Sequence, residues 1–141
     1  MKISIFGLGY VGAVSLACLS RDGHDVIGVD IDRTKLDLIA SGKTPVVEEG
    51  MVELMQRVAA SGRVTVTTDA RAAVRGSDIS LVCVGTPSAA NGSQDQGAIL
   101  RLAREMLSCV SWHTRSMTSN GSTPSASHSR AVSFANVIFS A

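Results

Sequence analysis

The chain has 141 residues, a formal net charge of +1, and 45% apolar residues. A chain of this length can bury one hydrophobic core, which predicts a single domain. The near-neutral charge argues against nucleic acid as a partner, and no apolar stretch reaches the roughly 18 residues that a membrane span needs.

The N-terminal part of the chain predicts a strand, a glycine-rich turn, a helix and a second strand. The first strand covers Lys2–Phe6, and the turn Gly7-Leu8-Gly9-Tyr10-Val11-Gly12 matches the pattern G-x-G-x-x-G. A helix over Val11–Arg21 follows, Gly23 ends it, and a second strand over Asp25–Asp30 ends in a carboxylate. This order of elements is typical of a dinucleotide-binding fold.

Each glycine of the turn has a predicted role. Gly7 permits the tight turn after the first strand, Gly9 lets the backbone approach a pyrophosphate, and Gly12 lets the helix pack closely on the sheet. The helix that starts near Tyr10 and Val11 directs its free N–H groups and positive dipole end toward the phosphates. The turn is therefore predicted to bind the pyrophosphate of a dinucleotide.

Asp30 is predicted to select the cofactor. It follows Gly12 by about 18 residues, close to the usual spacing of about 20. Its carboxylate can accept hydrogen bonds from both hydroxyls of an adenosine ribose, whereas a 2′-phosphate would meet like charge, which favours NAD over NADP. The nearby Arg33 and Lys35 leave NADP open as an alternative, because a cation can accommodate that phosphate.

The rest of the chain alternates helices with strands. The predicted helices are Arg33–Ala40, Met51–Ala60, a short one from Asp69 to Val74, and Gly97–Leu107, and the further strands are Arg63–Thr67 and Ile79–Val84. Such alternation predicts a Rossmann-type, doubly wound parallel α/β sheet, truncated here after about four strands. Ligands of these sheets bind beyond the carboxyl ends of the strands, where the glycine turn, Asp30 and Gly85-Thr86-Pro87 are expected to meet.

The composition changes near residue 106. From there to Ala141 the chain has no Asp, Glu or Lys and is rich in Ser and Thr. We therefore divide it into an incomplete dinucleotide-binding domain, residues 1–105, and an atypical tail, residues 106–141, for which we hypothesise a frameshift or a truncation. Ser111–Arg130 is predicted to be disordered or poorly packed because it has few apolar residues, and Ala131–Phe139 is predicted to add a makeshift strand.

The cysteines predict reduced thiols and a cytoplasmic protein. Cys18, Cys83 and Cys109 form neither a C-x-x-C pair nor an even disulfide framework. Cys18 and Cys83 lie in a predicted helix and a predicted strand, which favours core residues over reactive thiols. His113 and His128 lack the partner spacing of a catalytic or metal site, so no metal-binding residue is predicted.

A series of short motifs over about residues 1–105 is shared with a known family. They are Ile3–Gly12, Gly23–Asp30, Gly42–Glu48, Gly62-Arg63, Thr67–Asp69, Val82–Ser88 and Asn91–Ser93. On these motifs the chain resembles the N-terminal NAD-binding domain of the UDP-glucose/GDP-mannose dehydrogenase family. Members that oxidise GDP-mannose are the most similar, and those that oxidise UDP-glucose remain the alternative, because the residues that recognise the sugar lie outside this stretch.

The resemblance implies a set of cofactor contacts. Tyr10 and Val11 are expected to contact the pyrophosphate of NAD, and Asp30 to bind the adenosine ribose, with Lys35 at the same end of the cofactor. Thr86 is expected to contact the cofactor from the loop after the fourth strand. The resemblance also implies a nucleotide-sugar substrate, whose C6 alcohol is oxidised to a carboxylate in two NAD-dependent steps.

One loop departs from the family pattern. The family has Glu-Pro-Gly where this chain has Glu48-Glu49-Gly50, so the fixed φ of a proline is absent. We expect this change to reduce the rigidity of the loop without altering the cofactor site.

No catalytic residue is expected within this chain. The catalytic cysteine implied by the resemblance belongs to a later domain, beyond residue 141, and Cys109 lies in a different element. Three functions remain open: the N-terminal part of a nucleotide-sugar 6-dehydrogenase, which can be a homo-oligomer in its full-length form; a non-catalytic NAD-binding module; and an unstable product without function. By itself the chain is expected to show no turnover.

Overall fold

The fold is a parallel sheet with helices on both faces. A computed structural model describes residues 1–85, 97–117 and 135–136. The strands in this part of the chain are β1 (Lys2–Phe6), β2 (Asp25–Val29), β3 (Val64–Thr67), β4 (Ile79–Val82) and β5 (Ala135–Asn136), and the helices are α1 (Tyr10–Arg21), α2 (Arg33–Ala40), α3 (Met51–Ala60), α4 (Ala70–Gly76) and α5 (Gly97–Met117). The strand order is β3-β2-β1-β4-β5, and each pair is parallel. The predicted Rossmann-type fold is confirmed.

Two aspartates set the beginnings of helices. The carboxylate of Asp32 accepts a hydrogen bond from the Thr34 N–H at 2.9 Å, and that of Asp69 accepts one from the Ala72 N–H at 2.9 Å. Each carboxylate therefore caps a helix N-terminus, which satisfies a backbone donor that the helix itself leaves without an acceptor. The predicted bounds of α2 and α3 are confirmed.

Each face of the sheet has its own core. Successive side chains of a strand point to opposite faces, so Ile5 and Phe6 belong to different clusters. Ile5 packs in a cluster with Leu16 of α1 and Met55 of α3, and all three are fully buried. Phe6 packs in the second cluster, to which α5 contributes the fully buried Met106. Because helices cover both faces of the sheet, a ligand can reach it at the carboxyl ends of the strands.

The C-terminal helix extends beyond its predicted end. Helix α5 continues to Met117 rather than stopping at Leu107, so disorder, the first of the two predicted alternatives, is wrong for residues 111–117. Extending an existing helix adds one hydrogen bond for each residue that is ordered, so a polar sequence can continue it. Residues 118–130 of the stretch predicted to be disordered lie outside the described residues.

The fifth strand falls within the makeshift strand predicted for residues 131–139. Strand β5 has two residues and pairs with Leu81 and Val82 of β4. The four longer strands among the described residues, β1 to β4, agree with the predicted number of about four strands. The proposed division of the chain at residue 106 stays a prediction, although α5 continues across it.

The described residues contain neither a candidate membrane helix nor a candidate metal cluster. No helix among them is long and apolar enough to cross a bilayer. In the same part of the chain, no three His, Cys, Asp or Glu residues come together as metal ligands. Cys18 and Cys83 carry free, partly buried thiols. Cys83 packs against the cluster of Ile5, while the predicted core position of Cys18 stays a prediction.

Candidate dinucleotide site at the carboxyl edge of the sheet

An open cleft lies at the carboxyl ends of the strands. Its volume is about 660 Å³, within the usual range for small-molecule sites. The loops after β1, β2, β3 and β4 and the first turns of α5 contribute to its lining. The connection after β1 leads to β2 on one side of it, whereas the connection after β3 leads to β4 on its other side. Connections that diverge in this way leave a crevice for a ligand between them.

Two glycines of the turn are required by close backbone packing. Gly7 has a φ of 90°, and a Cβ on it would lie 2.9 Å from the carbonyl carbon and oxygen of Cys83. A Cβ on Gly12 would overlap the carbonyl oxygen of Gly7. This geometry agrees with the tight turn and the close helix packing predicted for Gly7 and Gly12, while a role in holding a cofactor stays a prediction.

Gly9 faces open space. A Cβ on Gly9 would meet nothing within 4 Å, and the residue lines the cleft. Gly9 is also the N-cap of α1 and supplies no side-chain hydrogen bond to the helix. The N–H groups of Tyr10, Val11 and Gly12 belong to the first turn, which has no acceptors within the helix. This uncapped helix end favours an anion next to Gly9.

The carboxylate of Asp30 joins the glycine turn to the loop after β2. Its Oδ2 accepts a hydrogen bond from the Leu8 N–H at 2.7 Å, and its Oδ1 accepts one from the Asp32 N–H at 2.9 Å. The side chain is only 8% exposed but lines the cleft. A carboxylate has about four lone-pair positions, so Asp30 keeps acceptor capacity for a ligand while it holds the turn in place.

The two cations near Asp30 occupy different positions. The Nζ of Lys35 lies 3.6 Å from Oδ2 of Asp30, and Lys35 lines the cleft. Arg33, the first residue of α2, is exposed and is not part of the lining. Because Lys35 is paired with Asp30, its charge is partly neutralised, which reduces the attraction of this corner for a 2′-phosphate and favours NAD.

The side chain of Tyr10 contacts the loop before α3 instead of the cleft. Its hydroxyl donates a hydrogen bond to Oε1 of Glu48 at 2.9 Å, and the residue is 57% exposed. This hydrogen bond and the negative charge of Glu48 raise the pKa of Tyr10. The loop that contains Glu48 is therefore tied to α1. Contacts of Tyr10 and Val11 with a cofactor would come from their backbone N–H groups, because neither side chain lines the cleft.

The segment after β4 forms another wall of the cleft. Cys83, Val84 and Gly85 line it, and burial raises the pKa of the Cys83 thiol. A raised pKa keeps this thiol protonated at neutral pH, which makes it a poor nucleophile. Thr86, for which the resemblance implies a cofactor contact, lies outside the described residues.

Ile31, Thr68 and Arg101 are among the lining residues that the sequence analysis did not assign to the site. Ile31 and Thr68 each lie at the carboxyl end of a strand, so their position after β2 and β3 was an available signal. Arg101 belongs to no motif, and only the packing of α5 against the sheet brings it to the cleft.

The fold, the glycine turn and the acidic residue after β2 together define the cofactor-binding domain of a nicotinamide-dependent dehydrogenase. A sequence model described as "UDP-glucose/GDP-mannose dehydrogenase family, NAD binding domain" matches residues 1–132. The chain belongs to this family, and the match identifies NAD as the cofactor of the domain.

Individual relatives agree with this assignment. A GDP-mannose 6-dehydrogenase from Pseudomonas aeruginosa is 56% identical over 106 residues, which is 75% of this chain and 24% of that protein. A UDP-glucose 6-dehydrogenase from Rhizobium meliloti is 41% identical over 107 residues, again 75% of this chain and 24% of the relative. The crystal structure of a ternary complex of GDP-mannose dehydrogenase from Pseudomonas aeruginosa has a TM-score of 0.73 at 56% identity, over 75% of this chain and 24% of that one. The chain thus spans about a quarter of the length of these relatives.

Proposed function

We propose that this chain is the cofactor-binding part of an NAD-dependent GDP-mannose 6-dehydrogenase. The observation that carries the proposal is the position of Asp30, whose carboxylate binds the Leu8 N–H and also lines the cleft next to the uncapped end of α1. GDP-mannose is favoured over UDP-glucose because identity to a GDP-mannose 6-dehydrogenase is 56%, against 41% to a UDP-glucose 6-dehydrogenase.

The glycine turn is proposed to hold the pyrophosphate of NAD. The open space at Gly9 leaves room for the phosphates, and the N–H groups of Tyr10, Val11 and Gly12 are available as donors. Gly7 maintains the turn through its close approach to the segment after β4. Hydrogen bonds from backbone N–H groups to an anion, together with the helix dipole, supply the binding energy at this end.

Asp30 is proposed to bind the adenosine ribose. Its position is fixed by two backbone N–H groups before any ligand arrives, so little ordering is required on binding. Lys35 orients the carboxylate through their ion pair, and Thr86 is proposed to contact the cofactor from the segment after β4. Bound NAD supplies the hydride acceptor, and the residues of this chain bind and orient it.

The substrate step is proposed to require more than these residues. Relatives that oxidise nucleotide sugars have about four times the matched length, and the resemblance implies a catalytic cysteine in a later domain. We therefore expect the chain to bind NAD without oxidising GDP-mannose by itself. The free thiols of Cys18 and Cys83 are consistent with a cytoplasmic location. A homo-oligomer in the full-length form stays a prediction.

Calorimetric titration of the purified chain with NAD and with NADP tests this proposal. NAD is expected to bind more tightly, and an Asp30→Ser variant is expected to lose most of that preference. Asp25→Ser, at the opposite end of β2, is the matched control, because Asp25 is exposed and lies outside the cleft. Absence of NAD binding by the folded chain, or equal binding of NADP, would contradict the proposal.

Two further measurements test the division of the chain. We expect no NADH formation when GDP-mannose or UDP-glucose is added with NAD, and cysteine-dependent NADH formation would show that the chain is catalytically complete. Resequencing of the coding DNA is expected to show family sequence in a shifted frame after residue 106. An intact frame without such sequence nearby would rule out the frameshift.

A further inference from the structure

The lining of the cleft contains residues that no motif explains. Ile31 follows Asp30 directly, lines the cleft and is 97% exposed. Leu102 of α5 and Ala70 of α4 add apolar surface to the same lining. Apolar side chains exposed within a cleft indicate a contact surface for an apolar or aromatic part of a ligand.

Helix α5 contributes one cation to the lining of the cleft. Arg101 lines the cleft, is exposed, and has no acidic partner among the described residues. Glu105, one turn further along the same helix, pairs instead with Arg71 of α4 at 3.7 Å. The fully buried Met106 packs in the cluster of Phe6 and anchors α5 beside the end of β1. The backbone of Arg101 is therefore held at the cleft by packing of α5.

The ribose site determines which part of a dinucleotide reaches Arg101. If Asp30 holds the adenosine ribose, the adenine attached to that ribose must lie close to it, where the next residue, Ile31, lines the cleft. The pyrophosphate lies toward Gly9, where the N-terminus of α1 supplies its donors. A planar guanidinium next to an aromatic base and apolar side chains stacks on the face of that base.

We propose that Arg101 stacks on the adenine of bound NAD, opposite Ile31, and so determines the affinity of the cleft for the adenosine half of the cofactor. This inference rests on the proposed function. The inference adds a residue of α5 to the proposed site, which otherwise consists of the glycine turn and the acidic residue after β2.

Substitutions of Arg101 test the proposal by calorimetry with NAD, AMP and nicotinamide mononucleotide. We expect Arg101→Gln to weaken NAD and AMP about tenfold, in the range of cation–π and stacking contributions, and to leave nicotinamide mononucleotide unchanged. Arg101→Lys keeps the charge without the planar group and is expected to recover only part of the loss. Arg104→Gln is the matched control, because Arg104 is exposed on the same helix and lies outside the cleft lining.

The possible failures are distinguishable. Normal NAD binding by Arg101→Gln would overturn the proposal. So would an Arg101→Lys variant that binds NAD as tightly as the unmodified chain, if added salt also removes the difference in affinity between Arg101→Gln and the unmodified chain, since that result indicates a contact with phosphate. Failure of the unmodified chain to bind NAD would overturn the proposed function itself. The midpoints of urea unfolding are expected to be equal for all variants because Arg101 and Arg104 are exposed. Equal midpoints show that a change in affinity does not come from a change in folding.

Discussion

The inner and the outer side of the glycine-rich turn are subject to different constraints. On the inner side, Gly7 and Gly12 face backbone atoms so closely that a Cβ on either would overlap or crowd them. On the outer side, Gly9 faces the cleft with nothing within 4 Å of a Cβ. The same residue type therefore serves folding on one side and, as we propose, binding on the other. Mutations should separate stability from affinity accordingly.

The largest effect is expected for Gly12→Ala on the inner side. The added Cβ would overlap the Gly7 carbonyl oxygen, so α1 or the turn must move, and we expect a loss of about 3 kcal/mol in the free energy of unfolding. Urea denaturation measures this loss. An unfolding midpoint equal to that of the unmodified chain would show that the turn can relax and that the inner side is not constrained.

Asp30→Ala is expected to have the next largest effect, because Asp30 connects the turn to the loop after β2. The N–H groups of Leu8 and Asp32 lose a charged acceptor, and we expect a cost of about 2 kcal/mol in the free energy of unfolding. Asp32→Ala is the control, since it removes only a helix cap worth about 1 kcal/mol. Equal losses in the two variants would contradict a special role of Asp30 in holding the turn.

Gly9→Ala on the outer side is expected to change affinity more than stability. Its φ of −72° suits any residue, so the free energy of unfolding should change by less than about 1 kcal/mol. The methyl group would occupy the proposed pyrophosphate position, and we expect NAD binding to weaken tenfold or more, about 1.4 kcal/mol. Calorimetry measures the affinity, and unchanged binding would remove Gly9 from the proposed site.

The smallest effect concerns the hydrogen bond between Tyr10 and Glu48. Tyr10 is the single tyrosine of the chain, so its phenolate absorbance during a pH titration reports this group alone. We expect a pKa above the ordinary value of 10.0. Because the pKa is raised in the folded state, this hydrogen bond contributes stability below about pH 10 and loses it as the pH rises through the folded pKa.

Substitution of Glu48 tests the cause of this shift. Glu48→Ala should lower the pKa of Tyr10 toward its ordinary value, since both the acceptor and the negative charge are removed. Glu49→Ala, one residue further along the same loop, should leave it unchanged. The same titration curve in both variants would show that the loop is not tied to α1 through Tyr10.

The part of the site formed by β1, the glycine turn and Asp30 could be predicted from the order of residues along the chain. The strand, the glycine turn and Asp30 lie within thirty residues of each other, and hydrophobic periodicity with capping residues predicted α2 and α3 at their observed bounds. The end of α5 was predicted wrongly, because composition indicates how much apolar surface a segment can bury and not how far an existing helix can continue.

The sequence by itself determined the class of fold, because local turns and strand periodicity involve residues that are close along the chain, and its resemblance to known motifs indicated the family and NAD. Only the tertiary structure showed that Asp30 accepts the Leu8 N–H, that Tyr10 binds Glu48, and that Arg101 lines the cleft. These contacts depend on how the parallel strands align their carboxyl ends and on how α5 packs over Phe6. Such placements arise from burial of apolar surface on both faces of the sheet, and no local pattern encodes them.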